Sequence, residues 1–444
     1  MEKKSRHKSM SFRRNLFRSH DNRKDQKRCL QHDIFIILLF IIVSSISACY
    51  HHTDKSSSRI NDLKPTVILI SIDGFRWDYL EKAELPNFQR LIKTGVRAKA
   101  LIPAFPTKTF PNHYTIVTGL YPEHHGIVAN TMYDPEFDAK FSMSNRDAVK
   151  DGRWWGGEPV WVTAEKQGQI SATLFWPGSE ADILGVRPAY WKVYDGDFPN
   201  AARVDTVLAW LDLPMKRRPT FLTLYFSDVD HAGHDNDPDS PEVKTAMQDI
   251  DTLLGRLLAG LENRKIFDRV NIIIVSDHGM TAVTSERVIY LDDYLDLDKV
   301  NIVDWNPVVA VRPREMSEDE IYQKLARAHP HLQVYRKNEI PARLHYQNHR
   351  RIAPIIGIAD DGWKISSHSR RNTREGFYTT GEHGYDNQLI AMRAIFIAHG
   401  PAFKSDLVVE PFQNIHIYNL ICRILGLRPA PNDGSIDSVR VMLK

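Results

Sequence analysis

The chain has 444 residues, of which 42% are hydrophobic, 25% charged and 10% aromatic, a balance that excludes collagen-like, disordered and multi-span membrane chains. Its net charge of +3 is uneven: residues 1–33 carry 11 Lys/Arg against 4 Asp/Glu, so the remainder is net −4 and offers no basic body for binding a nucleic-acid duplex. The three cysteines, Cys29, Cys49 and Cys422, supply neither a disulfide framework nor a CxxC pair.

Basic residues from Lys3 to Arg28 are followed by an apolar run, Ile34–Ala48, of 15 residues, short of the ~20 that a spanning helix needs. Basic, then apolar, then small is the order of a secretory signal, and Lys/Arg stays on the cytoplasmic side, so the rest of the chain is expected to be exported. The run closes on Ile46-Ser47-Ala48-Cys49, which resembles a bacterial lipobox. Cys49 is therefore the expected lipidation site, and a membrane-anchored lipoprotein on the periplasmic side of the cell envelope the expected location. A retained single-span anchor and plain cleavage are the alternatives. Residues 1–49 read as this signal or anchor segment, 50–64 as a polar tether, and 65–444 as the folded body.

Within that body Thr66–Ile72 is a continuous β-branched run ending in Asp73-Gly74, the pattern of a parallel strand buried on both faces. Pro111 suits the first turn of a helix and Gly119 its end. Thr109 then lies at that helix's N-terminus, where free N–H groups and the dipole favour an anion. Phe221–Phe226 leads to Asp228 and Asp230. Ser240-Pro241 caps a helix whose Val243, Met247, Ile250, Leu253, Leu254, Leu257, Leu258 and Leu261 recur at helical spacing. Asn271–Val275 ends in Ser276-Asp277-His278-Gly279, Ala394–Ala398 ends in His399, and Gln413–Leu425 is a further amphipathic helix. Strands alternating with helices predict an α/β fold with a largely parallel central sheet flanked by helices, its site at the C-terminal strand ends. Residues 281–382, more charged and with fewer βαβ units, read as a smaller inserted region.

Carboxylates and imidazoles gather at those ends: Asp73, Asp230, His234, Asp277, His278 and His383. An Asp/His mixture suits zinc, and three of each are enough for two ions. Singly, each has a plainer reading, as a turn or cap residue or a core histidine. Thr109 has one too, as an N-cap, since a threonine hydroxyl is a poor nucleophile unless a base or metal lowers its pKa.

Six stretches, SIDGFR (71–76), PTKTFPNHYTIVTGLYPEHHGI (106–127), FWPGSE (175–180), DVDHAGH (228–234), SDHGM (276–280) and GEHGYDN (381–387), resemble in order and spacing the nucleotide pyrophosphatase/phosphodiesterase family of the alkaline phosphatase superfamily. The resemblance covers roughly residues 65–444 and is to single-domain members of bacterial type. It implies an alkaline phosphatase-like core and two zinc ions per chain, one among Asp73, Thr109, Asp277 and His278, the other among Asp230, His234 and His383. It implies Thr109 as the nucleophile and Asn130 as a donor to a phosphoryl oxygen. Phe110 and Tyr194 would hold a nucleobase between their faces; without the resemblance both read as core, and Asn130 as a turn residue.

The implied reaction is hydrolysis of nucleotide pyrophosphate and phosphodiester bonds through a threonyl-nucleotidyl intermediate, releasing nucleoside 5′-monophosphate. The alternatives are a choline phosphodiester or lysophospholipid substrate, a phosphomonoesterase, for which no extra cation is identifiable beside Thr109, and a non-catalytic envelope-binding protein, for which a broken ligand set is expected. One departure is Asp235-Asn236-Asp237-Pro238 after His234, where relatives place Gly before Pro.

Overall fold

All six residues of Val67–Ile72 are buried, as a strand covered on both faces requires. The computed structural model describes residues 59–370 and 379–444, which belong to the compact unit Ser57–Lys444. The signal or anchor segment with Cys49, and the tether up to residue 58, lie outside the described residues. Among the described residues no helix is long and apolar enough to cross a membrane.

The main sheet is built from Val67–Ile72 (β1), Val96–Ala98 (β2), Ser171–Leu174 (β3), Tyr190–Lys192 (β4), Phe221–Phe226 (β5), Asn271–Val275 (β6), Phe396–His399 (β7) and Leu407–Val409 (β8), in the order β8-β2-β7-β6-β1-β5-β3-β4. β1 pairs in parallel with β5 and β6. Its alternate residues feed two cores: Val67 and Leu69 join Phe221, Ile273 and Val275, whereas Ile68, Ile70 and Ile72 join Leu222, Leu224, Ile272 and Ile274.

The first core is closed by Thr109–Thr118 (α1), and the second by Asn200–Leu211 (α2), a short helix Asp228–Asn236 (α3) and the long Pro241–Asn263 (α4); Ile417–Leu425 (α5) joins α1 on the first face. Burial of a Val, Leu or Ile is worth about 1.5–3 kcal/mol on either face, so apolar patterning alone cannot choose which face of β1 meets which core. Polar Asp73 at the strand end marks the edge instead.

β7 departs from the expected parallel arrangement. It runs antiparallel to both β6 and β2, so His399 at its C-terminus lies at the edge opposite the Asp/His residues. A buried apolar run records burial, not direction. Residues 276–395, which connect β6 to β7, include the second sheet rather than a single crossover helix, so no βαβ unit imposes a parallel direction here. The expected helix Gln413–Leu425 is also shorter, because Phe412–Gln413 pairs with Leu101–Ile102 and Asn414–His416 is a 3₁₀ turn. α4 starts as expected, with Ser240 Oγ accepting from the Val243 N–H and Pro241 in the first turn.

Residues 300–359, inside the stretch read as an insertion, form a second, antiparallel four-stranded sheet: Val300–Asp304, Val308–Pro313, Ile355–Ala359, Leu332–Arg336. Glu318–Leu325, opened by a Ser317/Glu320 capping box, buries Ile321 and Leu325 in this sheet's own core. A partly buried ion pair between Lys108 and Asp304 links this sheet to the residue preceding Thr109.

Candidate active site

Three strand ends converge. Asp73 follows β1, α3 begins two residues beyond β5, and Asp277-His278 follows β6. Gly74 permits the convergence: its φ is +66°, and a Cβ there would lie 2.9 Å from the Asp230 Cα. Asp230 and His234, one helical turn apart on α3, share a face, with His234 Nε2 3.5 Å from Asp230 Oδ1. His383 follows the short strand Gly381–Glu382, which pairs with Thr281–Ala282, and places its Nε2 3.8 Å from the same oxygen. His278 Nε2 stands 3.3 Å from Asp73 Oδ1 and 3.0 Å from Asp277 Oδ2. The His278 and His383 rings stack at 3.5 Å and join the two groups. The six Asp and His residues singled out as metal ligands are thus brought together.

Their hydrogen bonding is compatible with a cation held among these side chains. Nδ1 of His234, His278 and His383 lies 2.8–2.9 Å from the carbonyls of Gly381, Gly279 and Thr107 respectively. Carbonyls only accept, so each Nδ1 carries the hydrogen and each Nε2 turns its lone pair toward the carboxylates, the outer-shell arrangement of metal-binding histidines. Asp73 Oδ1, Asp230 Oδ1 and Asp277 Oδ2 are buried without a hydrogen-bond partner. Unpaired acceptors facing lone pairs are costly unless positive charge lies among them.

Crowding shifts the titration of these groups in different directions. Burial, then the neighbouring Asp277 and Asp230, push Asp73 well above the usual carboxylate range. Burial and the adjacent imidazoles hold His383 well below its usual value. For His278 burial acts downward, but Asp277 and Asp230 outweigh it and raise the pKa. Proton and metal compete for the same lone pair, so any metal held here would be released in acid.

Thr109 is the first residue of α1, while the N-cap position is Lys108, whose side chain makes no cap bond. The threonine hydroxyl is therefore not spent on capping; its partner is His278 Nε2 at 3.4 Å. Asn130 Oδ1 accepts from the Phe110 N–H at 2.9 Å, which occupies one helix-terminal donor and orients the Asn130 amide nitrogen. Asp73, Thr109, Phe110, Tyr194, Tyr225 and Asp230 line one cleft with about 650 Å³ of empty space. Phe110 packs on Phe141 and Trp155, and Tyr194 on Phe175 and Tyr225. The two aromatics line this cleft.

Two further residues belong to the site. Tyr225 donates to Asp73 Oδ2 at 2.6 Å, and a tyrosine at the end of a buried strand needs such a partner. His113 lies within ligand distance of Asp73 and Asp277; it sits one helical turn after Thr109, on the same face.

A family model described as type I phosphodiesterase / nucleotide pyrophosphatase matches residues 67–386. Ectonucleotide pyrophosphatase/phosphodiesterase family member 5 of Homo sapiens is 40% identical over 405 residues, covering 91% of this chain and 83% of that protein. Venom phosphodiesterase of Naja atra is 41% identical over 416 residues, 90% of this chain but 48% of its own length, so the chain spans about half of that relative. The solved structure of murine ectonucleotide pyrophosphatase/phosphodiesterase 5, an inactive threonine-to-alanine variant in complex with AMP, superposes with a TM-score of 0.82 at 40% identity, covering 86% of this chain and all of that one.

Proposed function

The chain belongs to the type I phosphodiesterase/nucleotide pyrophosphatase family of hydrolases, and from that premise we propose that it cleaves nucleotide pyrophosphate and phosphodiester bonds through Thr109, releasing nucleoside 5′-monophosphate. One observation carries the reading. The Thr109 hydroxyl, free of any capping bond, lies 3.4 Å from His278 Nε2 and opens on the cleft beside three unpaired buried carboxylate oxygens.

Asp73, Thr109, Asp277 and His278 would hold one zinc ion, and Asp230, His234 and His383 a second. Bound there, zinc supplies a lowered hydroxyl pKa and positive charge beside the phosphoryl oxygens. Thr109 Oγ1, its proton released to solvent water, forms a bond to the α-phosphorus as the bond to the leaving oxygen breaks and that oxygen departs with the electron pair. Water then attacks the threonyl-nucleotidyl ester, returning the hydroxyl to Thr109 and freeing the monophosphate. The Asn130 amide N–H donates to a non-bridging oxygen, its orientation set by the bond from Phe110 N–H. Phe110 and Tyr194 flank the nucleobase. The AMP complex of a relative made inactive by a threonine-to-alanine change supports both the ligand class and the nucleophile.

The catalytic body is residues 65–444, with 281–382 inserted. It works outside the cytoplasm, as the relatives' designation as ectoenzymes supports, held at the membrane by lipidated Cys49. Cys49→Ala should release active protein from the membrane fraction.

The decisive assay compares ATP, a dinucleoside polyphosphate, a choline phosphodiester and a phosphomonoester on zinc-loaded protein, with Thr109→Ala as control. Nucleoside monophosphate should form from the first two, and Thr109→Ala should lose turnover with its metal content unchanged. Preferential cleavage of the choline ester, or near-wild-type turnover by Thr109→Ala, would overturn the assignment.

A further inference from the structure

We propose that His113 is a positioning residue for the nucleophile: a buried imidazole that ties the strand carrying Asp73 to the first turn of the helix carrying Thr109. The ring is fully buried. Its Nδ1 is 2.9 Å from the Thr109 carbonyl oxygen and 3.3 Å from Asp277 Oδ2. Its Nε2 is 2.8 Å from Ser71 Oγ, two residues before Asp73 on β1. The ring is wedged edge-to-face between Trp176 and Tyr225, at 5.1 and 5.3 Å, and the Trp176 indole N–H donates to the His113 carbonyl at 3.0 Å.

These partners fix the tautomer. Both groups beside Nδ1 are acceptors, so Nδ1 carries the hydrogen, and in the neutral ring the lone pair on Nε2 then accepts from the Ser71 hydroxyl. Although Asp73 and Asp277 are within ligand distance, His113 is thereby no ligand: one nitrogen is protonated and the other is taken. An aliphatic side chain could fill the same space. Only imidazole donates at one corner and accepts at the other, and burying such a group is unfavourable unless both corners are used.

The Nδ1–H holds the Thr109 backbone, and so the place of Thr109 Oγ1 relative to His278, while standing against the Asp277 oxygen that also faces His278. The chain Ser71–His113–Thr109 therefore transmits the position of β1 to the reacting hydroxyl. The inference rests on Thr109 as the nucleophile.

Four variants test it: His113→Leu, His113→Asn, His113→Gln and Ser71→Ala. The Asn amide can occupy the place of Nδ1, and the Gln amide that of Nε2. With a nitrophenyl phosphodiester and zinc-loaded protein, His113→Leu should lower kcat on the order of 100-fold, the scale of a nucleophile misplaced by about 1 Å, with KM within about twofold. His113→Asn should recover most of the loss and His113→Gln little, and Ser71→Ala should lose roughly tenfold. Independently of turnover, ¹⁵N-histidine NMR of the wild type should show His113 protonated at Nδ1.

An Nε2-protonated ring, or rescue by Gln rather than Asn, would overturn the proposal. If His113→Leu does not fold, unchanged kcat in both Ser71→Ala and His113→Gln would do the same. Turnover persisting in Thr109→Ala would instead refute the nucleophile, and the NMR result would stand apart from it.

Discussion

Tyr225 donates its phenolic hydrogen to Asp73 Oδ2 across 2.6 Å, which commits one oxygen of that carboxylate to the protein and leaves the other, Oδ1, 3.3 Å from His278 Nε2. Removing such an outer partner typically weakens metal binding about 10- to 100-fold. Tyr225→Phe should show that loss in competition with a calibrated chelator, and unchanged affinity would mean the hydrogen bond does not orient Asp73.

The base slot is tested by Tyr194→Ala. Stacking of a base on an aromatic is worth ~1–3 kcal/mol, so kcat/KM for ATP should fall roughly 5- to 150-fold at ~1.4 kcal/mol per decade. A nitrophenyl phosphodiester, with no nucleobase, should change less than about threefold. Equal losses on both substrates would make Tyr194 a packing residue only.

Gly74→Ala meets two obstacles: a left-handed φ of +66° and a new Cβ 2.9 Å from the Asp230 Cα. The backbone strain is worth about 1–2 kcal/mol, and the clash can be relieved only by moving α3 away from β1. The variant should melt lower and lose metal from the Asp230, His234 and His383 group. Full metal content by atomic absorption would show that α3 can retreat without disturbing its ligands.

Acid should weaken the fold through His349. Burial, then the nearby Arg351 and Arg350 charges, lower its pKa from 6.5 to about 4, and its Nδ1 accepts the Arg351 N–H at 3.1 Å, which a protonated ring cannot do. Between these two pKa values the unfolded chain binds the proton and the folded chain does not. The contribution is present above about pH 6.5, is lost as pH falls toward about 4, and is constant below that. Allowing for partial exposure, it is worth on the order of 1–2 kcal/mol. Urea unfolding at pH 7.5, 5.5 and 4.5 should show a shallower decline for His349→Gln, and parallel curves would refute the assignment.

Much of this architecture can be read from local pattern, and the rest has identifiable causes. β1, β5 and β6 are marked by uninterrupted apolar runs, and the Asp and His residues at their ends mark the edge where the structure gathers them. The direction of β7 was not legible, because burial on both faces looks the same for either orientation. The start of α5 was misplaced because Phe412 and Gln413 bond to Leu101 and Ile102, over 300 residues away. His113 and Tyr225 escaped notice because their partners, Ser71, Asp277 and Asp73, become neighbours only on folding. Thr109 shows the converse: its plainer reading as a cap was open in the sequence, and the placement of Lys108 at that position closes it.

The Asp/His cluster is also ordered in time. Asp73 leaves the ribosome early, whereas His383 lies 310 positions later along the chain, beyond the whole second sheet. Until that stretch has emerged, a nascent chain can set β1, β5 and β6 side by side yet cannot complete the group formed by Asp230, His234 and His383. Contacts of such long range form late and slowly. A premature stop anywhere between His278 and Gly381 would leave a chain with most of its central strands and three crowded carboxylates, but without the imidazole that closes the second group. Acquisition of the full metal complement would then report that translation had run nearly to its end.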